Sequence, residues 1–263
     1  IVFGDNLQFL KTVYENKDLL IKNKAKGKVK LIYIDPPFGT GDEYDGNQGQ
    51  KGYSAKTKGA EFVEFLRRRL FVAKELLSEN GNIFVRQDYH FGHYIKLVLD
   101  EVFGKDNFLN WCIYKQEWGG ASKRFFPKKH DDILIYCKGK DYIFDYENIR
   151  VPKVTAGTAL DVRGDGLKIP CDVFDDLGNF STISKERVKN ENGKCIQWQK
   201  PMKLMDRLLR PFTRDNYNIL DPFSGSGTTA LWCKENNRNF YGCEKDKKVY
   251  EISLERLDIV TKI

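Results

Sequence analysis

Short apolar runs alternate along this chain with stretches in which apolar residues recur every three or four positions. Short runs bounded by turn residues are typical of buried strands, and the longer helical spacing is typical of helices that pack on one face. The predicted strands are 31–34, 82–88, 108–114, 133–137, 218–220 and 239–244, and the predicted helices begin near Leu7, Glu61, Ile95, Met202 and Thr228. This alternation predicts one α/β domain with a mostly parallel sheet.

Cap and turn residues set several predicted boundaries. Asp5 precedes the first helical pattern and is predicted to be its N-cap. The helix that begins near Glu61 is predicted to stop at Asn80-Gly81, with the three arginines at 67–69 on its solvent face. The strands 108–114 and 133–137 are expected to form a hairpin at the edge of the sheet.

Residues 39–59 contain no Val, Ile or Leu and are rich in Gly, Lys and Gln. Such a stretch cannot bury a core, so we expect a connection of about 20 residues without regular structure. Connections of this length inside a domain are generally functional or disordered. Two interpretations stay open, namely a lid over a neighbouring site and a disordered segment without function.

A carboxylate and an aromatic ring follow the first strand-like run, in the sequence Asp35-Pro36-Pro37-Phe38. Open parallel sheets bind their ligands at the carboxyl ends of the strands, where this segment is predicted to lie. The prolines fix φ and lack N–H donors, which makes the turn stiff and leaves its carbonyl oxygens as acceptors. The segment predicts a site for a substrate with an amino group; the alternative is an ordinary proline turn.

A glycine-containing turn follows a later predicted strand. Residues 221–227 read Asp-Pro-Phe-Ser-Gly-Ser-Gly, and a helix is predicted to start near Thr228. Glycines let the backbone approach a ligand, and a helix start presents free N–H groups. The next strand ends in Glu244, about 20 residues after the glycines, the spacing at which a βαβ unit places an acid near ribose hydroxyls. This unit is predicted to bind a nucleoside.

The charge balance mildly favours a polyanionic partner. The 263 residues carry 44 Lys and Arg against 37 Asp and Glu, which gives a net charge of +7. One basic segment also contains aromatic rings, and its predicted DNA-binding residues are Lys123, Arg124, Phe125, Lys128 and Lys129. Cations beside aromatic rings fit phosphate contact with base stacking, and a solvated hairpin loop is the alternative.

Other classes of site have little support in the sequence. The six cysteines show no CxxC spacing, and His90 and His93 lack a third ligand, so no metal or disulfide is predicted. Because the chain has neither a membrane-spanning apolar run nor a signal pattern, we expect a soluble, cytoplasmic protein without a membrane partner. The chain starts at Ile1 without a methionine, which is compatible with native residues before it.

Together these motifs resemble the β group of amino-methylating DNA methyltransferases, which use S-adenosylmethionine and belong to restriction–modification systems. The resemblance rests on 35–38 as the catalytic motif, 221–227 as the cofactor loop, Glu244 as the ribose acid, and Gln-Lys-Pro at 199–201 near the methionine end of the cofactor. The catalytic motif precedes the cofactor motif, which is the permuted order of that group. The resemblance implies a Rossmann-like methyltransferase fold with an inserted target-recognition region.

The resemblance also divides the chain and assigns residues. It implies a catalytic half at 1–138, a target-recognition region at 139–196 and a cofactor-binding half at 197–263 that completes the same α/β domain. The implied cofactor-binding residues are Asp5, Asp35, Lys200, Pro201, Asp221, Pro222, Phe223, Gly225, Gly227, Thr228 and Glu244.

The implied reaction is methylation of the 6-amino group of adenine in duplex DNA. Asp35 and the Pro36 carbonyl would accept the amino hydrogens, Pro37 would stiffen the turn, and Phe38 would stack on a flipped base. In similar enzymes Asp before Pro-Pro accompanies adenine and Ser accompanies cytosine. The alternatives are cytosine 4-amino methylation, methylation of RNA or protein, and an inactive DNA-binding subunit. A homodimer and a restriction-subunit partner are further expectations from the resemblance.

Overall fold

The computed structural model describes residues 1–37, 43–46, 50–54, 59–116, 122–178, 180–181, 183–189, 193–196 and 199–258, with backbone only at 43–46 and 50–54. Within these residues the helices are α1 (Asn6–Glu15), α2 (Ala60–Leu76), α3 (Gly92–Phe103), α4 (Met202–Leu209), α5 (Thr228–Glu235) and α6 (Lys247–Arg256). The strands are β1 (Val2–Phe3), β2 (Val29–Ile34), β3 (Glu43–Gly46), β4 (Gln50–Ser54), β5 (Leu77–Asp88), β6 (Phe108–Lys115), β7 (His130–Cys137), β8 (Val151–Pro152), β9 (Leu167–Lys168), β10 (Val173–Phe174), β11 (Asn218–Asp221) and β12 (Asn239–Glu244).

The main sheet has the strand order β1-β12-β11-β2-β5-β7-β6-β10. Its neighbours pair in parallel except β5 with β7 and β6 with β7, which pair antiparallel. This arrangement confirms the expected α/β fold with a mostly parallel sheet. Strands β2 and β11 are neighbours, so the two Asp-Pro segments that follow them meet at the same edge of the sheet.

Helices cover both faces of the sheet, and β2 lies buried between them. Ile32 and Ile34 belong to the core cluster formed with α1, α2 and α3. Leu31 and Tyr33 belong to the opposite cluster, formed with α4 and α5. A strand buried on both faces has an almost continuous apolar run, as residues 31–34 do. Polar chemistry is therefore confined to the end of β2.

The predicted end of α2 is wrong. The helix ends at Leu76, and β5 begins at Leu77 rather than at Asn82. The ladder between β2 and β5 is irregular between the Val29–Leu77 and Leu31–Asn82 pairs, so Asn80-Gly81 lies inside β5. A Cβ at Gly81 would lie 2.9 Å from the Val29 carbonyl oxygen. Close approach of two backbones, rather than a helix cap, explains this glycine.

Arg69 was predicted on the solvent face of α2 and is instead buried. Its guanidinium donates to Asn6 Oδ1 at 2.6 Å and to the Phe65 carbonyl oxygen at 2.8 Å, and it lies over the Phe65 ring. These contacts satisfy the buried cation, so α2 packs against α1 through a polar pair. Arg67 and Arg68, predicted on the same face, are more exposed and pair with Glu101 of α3 and Glu64 of α2.

Two further expectations need correction. The stretch 39–59, predicted to lack regular structure, contains β3 and β4, which pair antiparallel; its residues 39–42, 47–49 and 55–58 lie outside the described ranges. Backbone pairing without apolar alternation leaves no periodic signal in the sequence. The β6–β7 hairpin forms as predicted, but β10 pairs with β6 and covers that edge. A two-residue strand is too short to predict from periodicity.

In the described part of the chain, no helix has the length and apolar character needed to cross a membrane. The division of the chain at 138/139 and 196/197 stays a prediction.

Candidate active site

The Asp35 carboxylate lies directly after β2, between two cations. Arg86 Nη1 donates to its Oδ1 at 2.9 Å, and Lys200 Nζ lies 2.8 Å from its Oδ2. The side chain of Asp35 is only 11% exposed. Because each oxygen carries up to two acceptor sites, both retain capacity for another donor. The structure thus places the predicted catalytic carboxylate at the predicted strand end, with defined orientation.

The segment around Lys200 is fastened by Gln199. The buried Gln199 amide accepts from the Val188 N–H at 2.7 Å and donates to the Glu186 carbonyl oxygen at 2.6 Å. Pro201 follows as the N-cap residue of α4. Lys200 is therefore directed towards Asp35 by a neighbour on each side. The sequence grouped Lys200 with the cofactor residues but did not predict this contact.

Sequence analysis missed Arg86, which joins two carboxylates. Its guanidinium donates to Asp35 through Nη1 and to Asp131 through Nη2, and Gln116 Nε2 also donates to Asp131. Arg86 lies on β5, and Asp131 lies near the start of β7. The available signal was a charged residue directly after the apolar run 83–85 of a predicted strand, since such charges are rarely buried without a partner.

The two cations beside Asp35, Arg86 and Lys200, favour its ionised form. Burial alone would raise the pKa of Asp35, but the charges of Arg86 and Lys200 outweigh it and hold that pKa below its ordinary value. Burial, together with the Arg86 charge, lowers the pKa of Lys200, while Asp35 opposes that change. A buried carboxylate with two cations as partners is an acceptor at neutral pH.

The glycine turn after β11 has the backbone that its sequence predicts. Gly225 and Gly227 have φ of +52° and +75°, in the left-handed region that favours glycine. The Gly227 N–H donates to the Ser224 carbonyl oxygen at 2.9 Å, and α5 begins at Thr228. Thr228 Oγ1 accepts from Arg256 at 3.1 Å. The turn is closed on itself and carries the N-terminus of α5.

Asp221 and Phe223 support this turn from inside the protein. The buried Asp221 carboxylate accepts from the Phe223 N–H at 2.9 Å and from Thr229 Oγ1 at 2.7 Å. Burial raises the pKa of Asp221 to about 7, although both hydrogen bonds oppose the rise. Pro222 is buried between them, and the Phe223 ring lies 6.1 Å from the Phe65 ring. In this structure these residues shape the turn.

Glu244 ends β12 and contacts the glycine turn directly. Its Oε2 accepts from the Gly225 N–H at 2.9 Å, and its Oε1 accepts from the Lys245 and Asp246 N–H groups at 2.8 Å. Burial raises the pKa of Glu244, and the three backbone donors oppose that rise. Among the described residues Oε2 accepts only the Gly225 N–H, which leaves it acceptor capacity for a hydroxyl group.

The residues of this edge fit a nucleoside cofactor. A Cβ built on Gly225 would enter open space: apart from the adjacent residues 224 and 226, the described part of the chain offers only the Phe223 carbonyl oxygen, 3.9 Å away, within 4 Å. The Ser224 hydroxyl is buried and makes no hydrogen bond to any residue that the structure describes. An open approach to the backbone, an unpartnered hydroxyl and the Glu244 acceptor are features that a ribose and its substituents would use.

The comparison with protein families decides the class. Residues 29–255 match the DNA methylase family of N6 and N4 methyltransferases. The chain belongs to this family. Amino-directed DNA methyltransferases of this family use S-adenosylmethionine, which confirms the expected methyl donor.

Relatives of this DNA methylase come from restriction–modification systems. It is 28% identical to the type II methyltransferase M.HpaI of Haemophilus parainfluenzae over 239 residues, which are 90% of this chain and 71% of the relative. It is 26% identical to M1.MboII of Moraxella bovis, with 85% and 86% of the two chains covered. A probable type III Mod subunit of Haemophilus influenzae is 36% identical over 55% of this chain, which spans only 18% of that relative.

Solved structures share the fold. The M1.HpyAVI complex with S-adenosylmethionine has a TM-score of 0.64 at 22% identity, with 98% of both chains covered. The cytosine-N4-specific PvuII DNA methyltransferase has a TM-score of 0.68 at 16% identity, with 99% of this chain and 86% of the other covered. These likenesses confirm the Rossmann-like methyltransferase fold.

The described part of the basic loop between β6 and β7, residues 122–129, is largely exposed in this DNA methylase. Phe125 and Phe126 are 60% and 95% exposed, and Lys123, Arg124 and Lys128 are also exposed. Lys128 Nζ lies 4.3 Å from the centre of the Tyr89 ring. Lys129 accepts the Gln116 N–H through its carbonyl oxygen at 2.8 Å, which closes the base of the loop. The predicted DNA contact stays a prediction.

The remaining predicted site residues lie around the same edge or outside the described residues. Asp5 caps α1 by accepting from the Leu7 and Gln8 N–H groups. It follows β1, which pairs with β12, and the N–H of its neighbour Gly4 donates to the Glu244 carbonyl oxygen. Asp5 therefore lies near the end of the strand that carries Glu244. Phe38 lies outside the described residues. Among the described residues, no group of three or more His, Cys, Asp or Glu side chains could hold a metal ion.

Proposed function

We propose that this DNA methylase transfers a methyl group from S-adenosylmethionine to the 6-amino group of adenine, at a specific sequence in duplex DNA. The observation that carries the proposal is the Asp35 carboxylate held between Arg86 and Lys200. It lies at the end of β2, beside the glycine turn that follows β11. An acceptor for an amino group and a binding turn for the methyl donor thus occupy one edge of the sheet.

The chemistry requires the enzyme to localise the lone pair of the amino nitrogen. That lone pair is delocalised into the ring. Two acceptors that bind the amino hydrogens favour a tetrahedral nitrogen, whose localised lone pair can point at the methyl donor. Asp35 and the Pro36 carbonyl oxygen are the proposed acceptors, and the negative charge of Asp35 stabilises the positive charge that develops on nitrogen. When bound, S-adenosylmethionine supplies a methyl group already activated by its sulfonium. The chain's own work is alignment and electrostatics.

The target base must leave the helix to reach Asp35. Extrusion of a base costs about a few kcal/mol, and stacking on an aromatic ring returns about 1–3 kcal/mol. Phe38 is the proposed stacking partner, as the sequence places it three residues after Asp35. The exposed rings of Phe125 and Phe126 are proposed to contact bases while the neighbouring cations bind phosphates.

The choice of adenine rests on Asp at position 35 and on the resemblance that links it to adenine enzymes. The test is to incubate the protein with S-adenosylmethionine and mixed-sequence duplex DNA, and then to quantify methylated nucleosides by mass spectrometry. We expect N6-methyladenine. N4-methylcytosine without methyladenine would overturn the choice of base, and the absence of any methylated nucleoside would favour an inactive DNA-binding subunit. Parallel incubations with RNA and protein test the other substrate classes.

Two assemblies are also proposed, a homodimer and a complex with a restriction subunit. The support is the resemblance to the β group and the Mod subunits among the relatives. Light scattering on the purified protein measures the first, and a monomeric mass at micromolar concentration would contradict it.

A further inference from the structure

A row of alternating charges, buried at Arg86 and Asp131 and half-buried at Asp35 and Lys200, crosses three neighbouring strand ends. Lys200 lies 2.8 Å from Asp35 Oδ2, Arg86 donates to Asp35 Oδ1 at 2.9 Å, and the other side of the Arg86 guanidinium donates to Asp131. Gln116 donates to the same carboxylate. Two cations and two anions balance each other, so no net charge is buried. The proposed reaction gives a role to Asp35 and none to the far end of this row.

The strand ladder fixes the position of Arg86. Its strand β5 pairs with β2 on one side and with β7 on the other, where Arg86 lies opposite Ile133. The side chain is 6% exposed. Its planar fork presents two donors in a fixed geometry, and each side meets one carboxylate. Arg86 can therefore rotate only by breaking one of the two contacts.

Asp35 has less support of its own. It follows the last residue of β2, and its carboxylate has a broad torsional preference about the final side-chain bond. Lys200 is the other cation that contacts it, through a flexible four-carbon chain. A rigid donor on Oδ1 therefore determines which lone pairs of Asp35 face the space beside the glycine turn.

We propose that Arg86, anchored by Asp131, is a positioning residue that sets the orientation of the Asp35 carboxylate for the target amino group. The inference rests on the proposed function. Asp131 balances the Arg86 charge, so that Asp35 is not the sole anion for a buried cation and keeps its remaining acceptor capacity for substrate. The Gln116 side-chain amide donates to Asp131 and holds it in place, and the Gln116 backbone N–H closes the base of the basic loop.

The test uses Arg86→Met and Arg86→Lys, with Arg238→Met as the matched control. Arg238 is a comparably buried arginine, 10% exposed, that pairs with Asp215 and the Thr213 carbonyl oxygen. Among the described residues it contacts neither Arg86 nor Lys200, the two that hold Asp35. Methyl transfer to mixed-sequence duplex DNA is measured from pH 5 to pH 9, with circular dichroism to check the fold of each variant.

Arg86→Met should lower kcat by about 100-fold, because a displacement of a reacting group by about 1 Å produces a loss of that size. KM for S-adenosylmethionine should change much less. The acid limb of the pH profile should move to higher pH, because Asp35 loses one of the charges that keep it ionised. The charged or titratable groups around Asp35 are Lys200, Tyr33, Asp131 and Asp221 in addition to Arg86. Those groups remain in the variant, so the direction of the movement reports the loss of Arg86.

Arg86→Lys retains the charge but loses the fork, so it should restore the acid limb while recovering only part of kcat. Arg238→Met should reduce thermal stability without moving the limb. A folded Arg86→Met variant with normal kcat and an unmoved limb would overturn the proposal. So would an equal movement in Arg238→Met. If the wild-type protein methylates nothing, the proposed function fails instead, and the two failures are distinguishable.

Discussion

Replacing Gly225 with valine separates a binding role for the glycine turn from a structural one. In this structure a Cβ at Gly225 meets no atom closer than 3.9 Å, so the protein itself has space for a side chain. The structural cost is then the left-handed backbone at φ +52°, which is about 1–2 kcal/mol for a residue with a Cβ. For a chain of this length the loss corresponds to roughly 2–8 °C in Tm.

Binding should suffer more than stability does. The valine side chain would enter the open space that we assign to the cofactor, so affinity for S-adenosylhomocysteine, a product that cannot react further, should fall at least about tenfold, or ~1.4 kcal/mol. Gly27→Val is the matched control, because Gly27 also has a left-handed φ of +66°, has open space around it, and precedes the amino end of β2. Calorimetry measures the affinities and thermal unfolding measures Tm. Equal affinity in the two variants would refute the assignment.

Four other changes test the site. Glu244→Ala should weaken cofactor binding measured by calorimetry while DNA binding is kept; unchanged cofactor affinity would remove Glu244 from the site. Asp35→Ala should abolish methyl transfer in a folded protein that keeps some cofactor affinity, and near-normal turnover would exclude it as the main acceptor. Alanine at the four cations of 123–129 should reduce the steepness of log affinity for duplex DNA against log salt by about 3.6, whereas alanine at the four lysines at even positions 22–28 should leave it unchanged. The pKa of Asp221 is about 7 in the folded protein, against an ordinary value of 3.8, so between these pH values the folded state holds a proton that the unfolded state has lost. The free energy of unfolding therefore falls as pH rises from about 4 to 7. Asp221→Asn should therefore remove about 2–3 kcal/mol of the decline in unfolding free energy between pH 5 and pH 8, measured by urea denaturation, and an identical decline would show that Asp221 is not its source.

The sequence correctly predicted the places of residues that are marked by their immediate neighbours, at two strand ends and one helix start. Asp35 and Glu244 each follow an apolar run of strand length, and Asp5 precedes a helical pattern, so local periodicity located all three. Arg69 could also have been placed correctly, since it follows Leu66 by three positions on the buried stripe of α2. The prediction gave the charge of Arg69 more weight than its position on the buried stripe of the helix.

Arg86 could not be assigned in this way, because its role depends on two residues that are 51 and 45 positions away in the sequence. Gly81 shows a different limit. A glycine after a helical pattern has the same appearance in the sequence whether it caps a helix or allows a strand to approach its neighbour. Only the pairing of β5 with β2 distinguishes the two.

The attachment of Gln199 has a consequence for exchanging recognition regions between relatives. Its amide bonds the backbone at 186 and 188, at the end of the region predicted to recognise DNA, and its neighbour Lys200 contacts Asp35. A transplanted region that ends differently would release Gln199, and with it the neighbouring lysine that contacts Asp35. Grafts joined after position 201 should therefore keep activity more often than grafts joined near 190. Substitutions that change the recognised sequence should disturb activity least when they lie far from the contacts of Gln199 with residues 186 and 188.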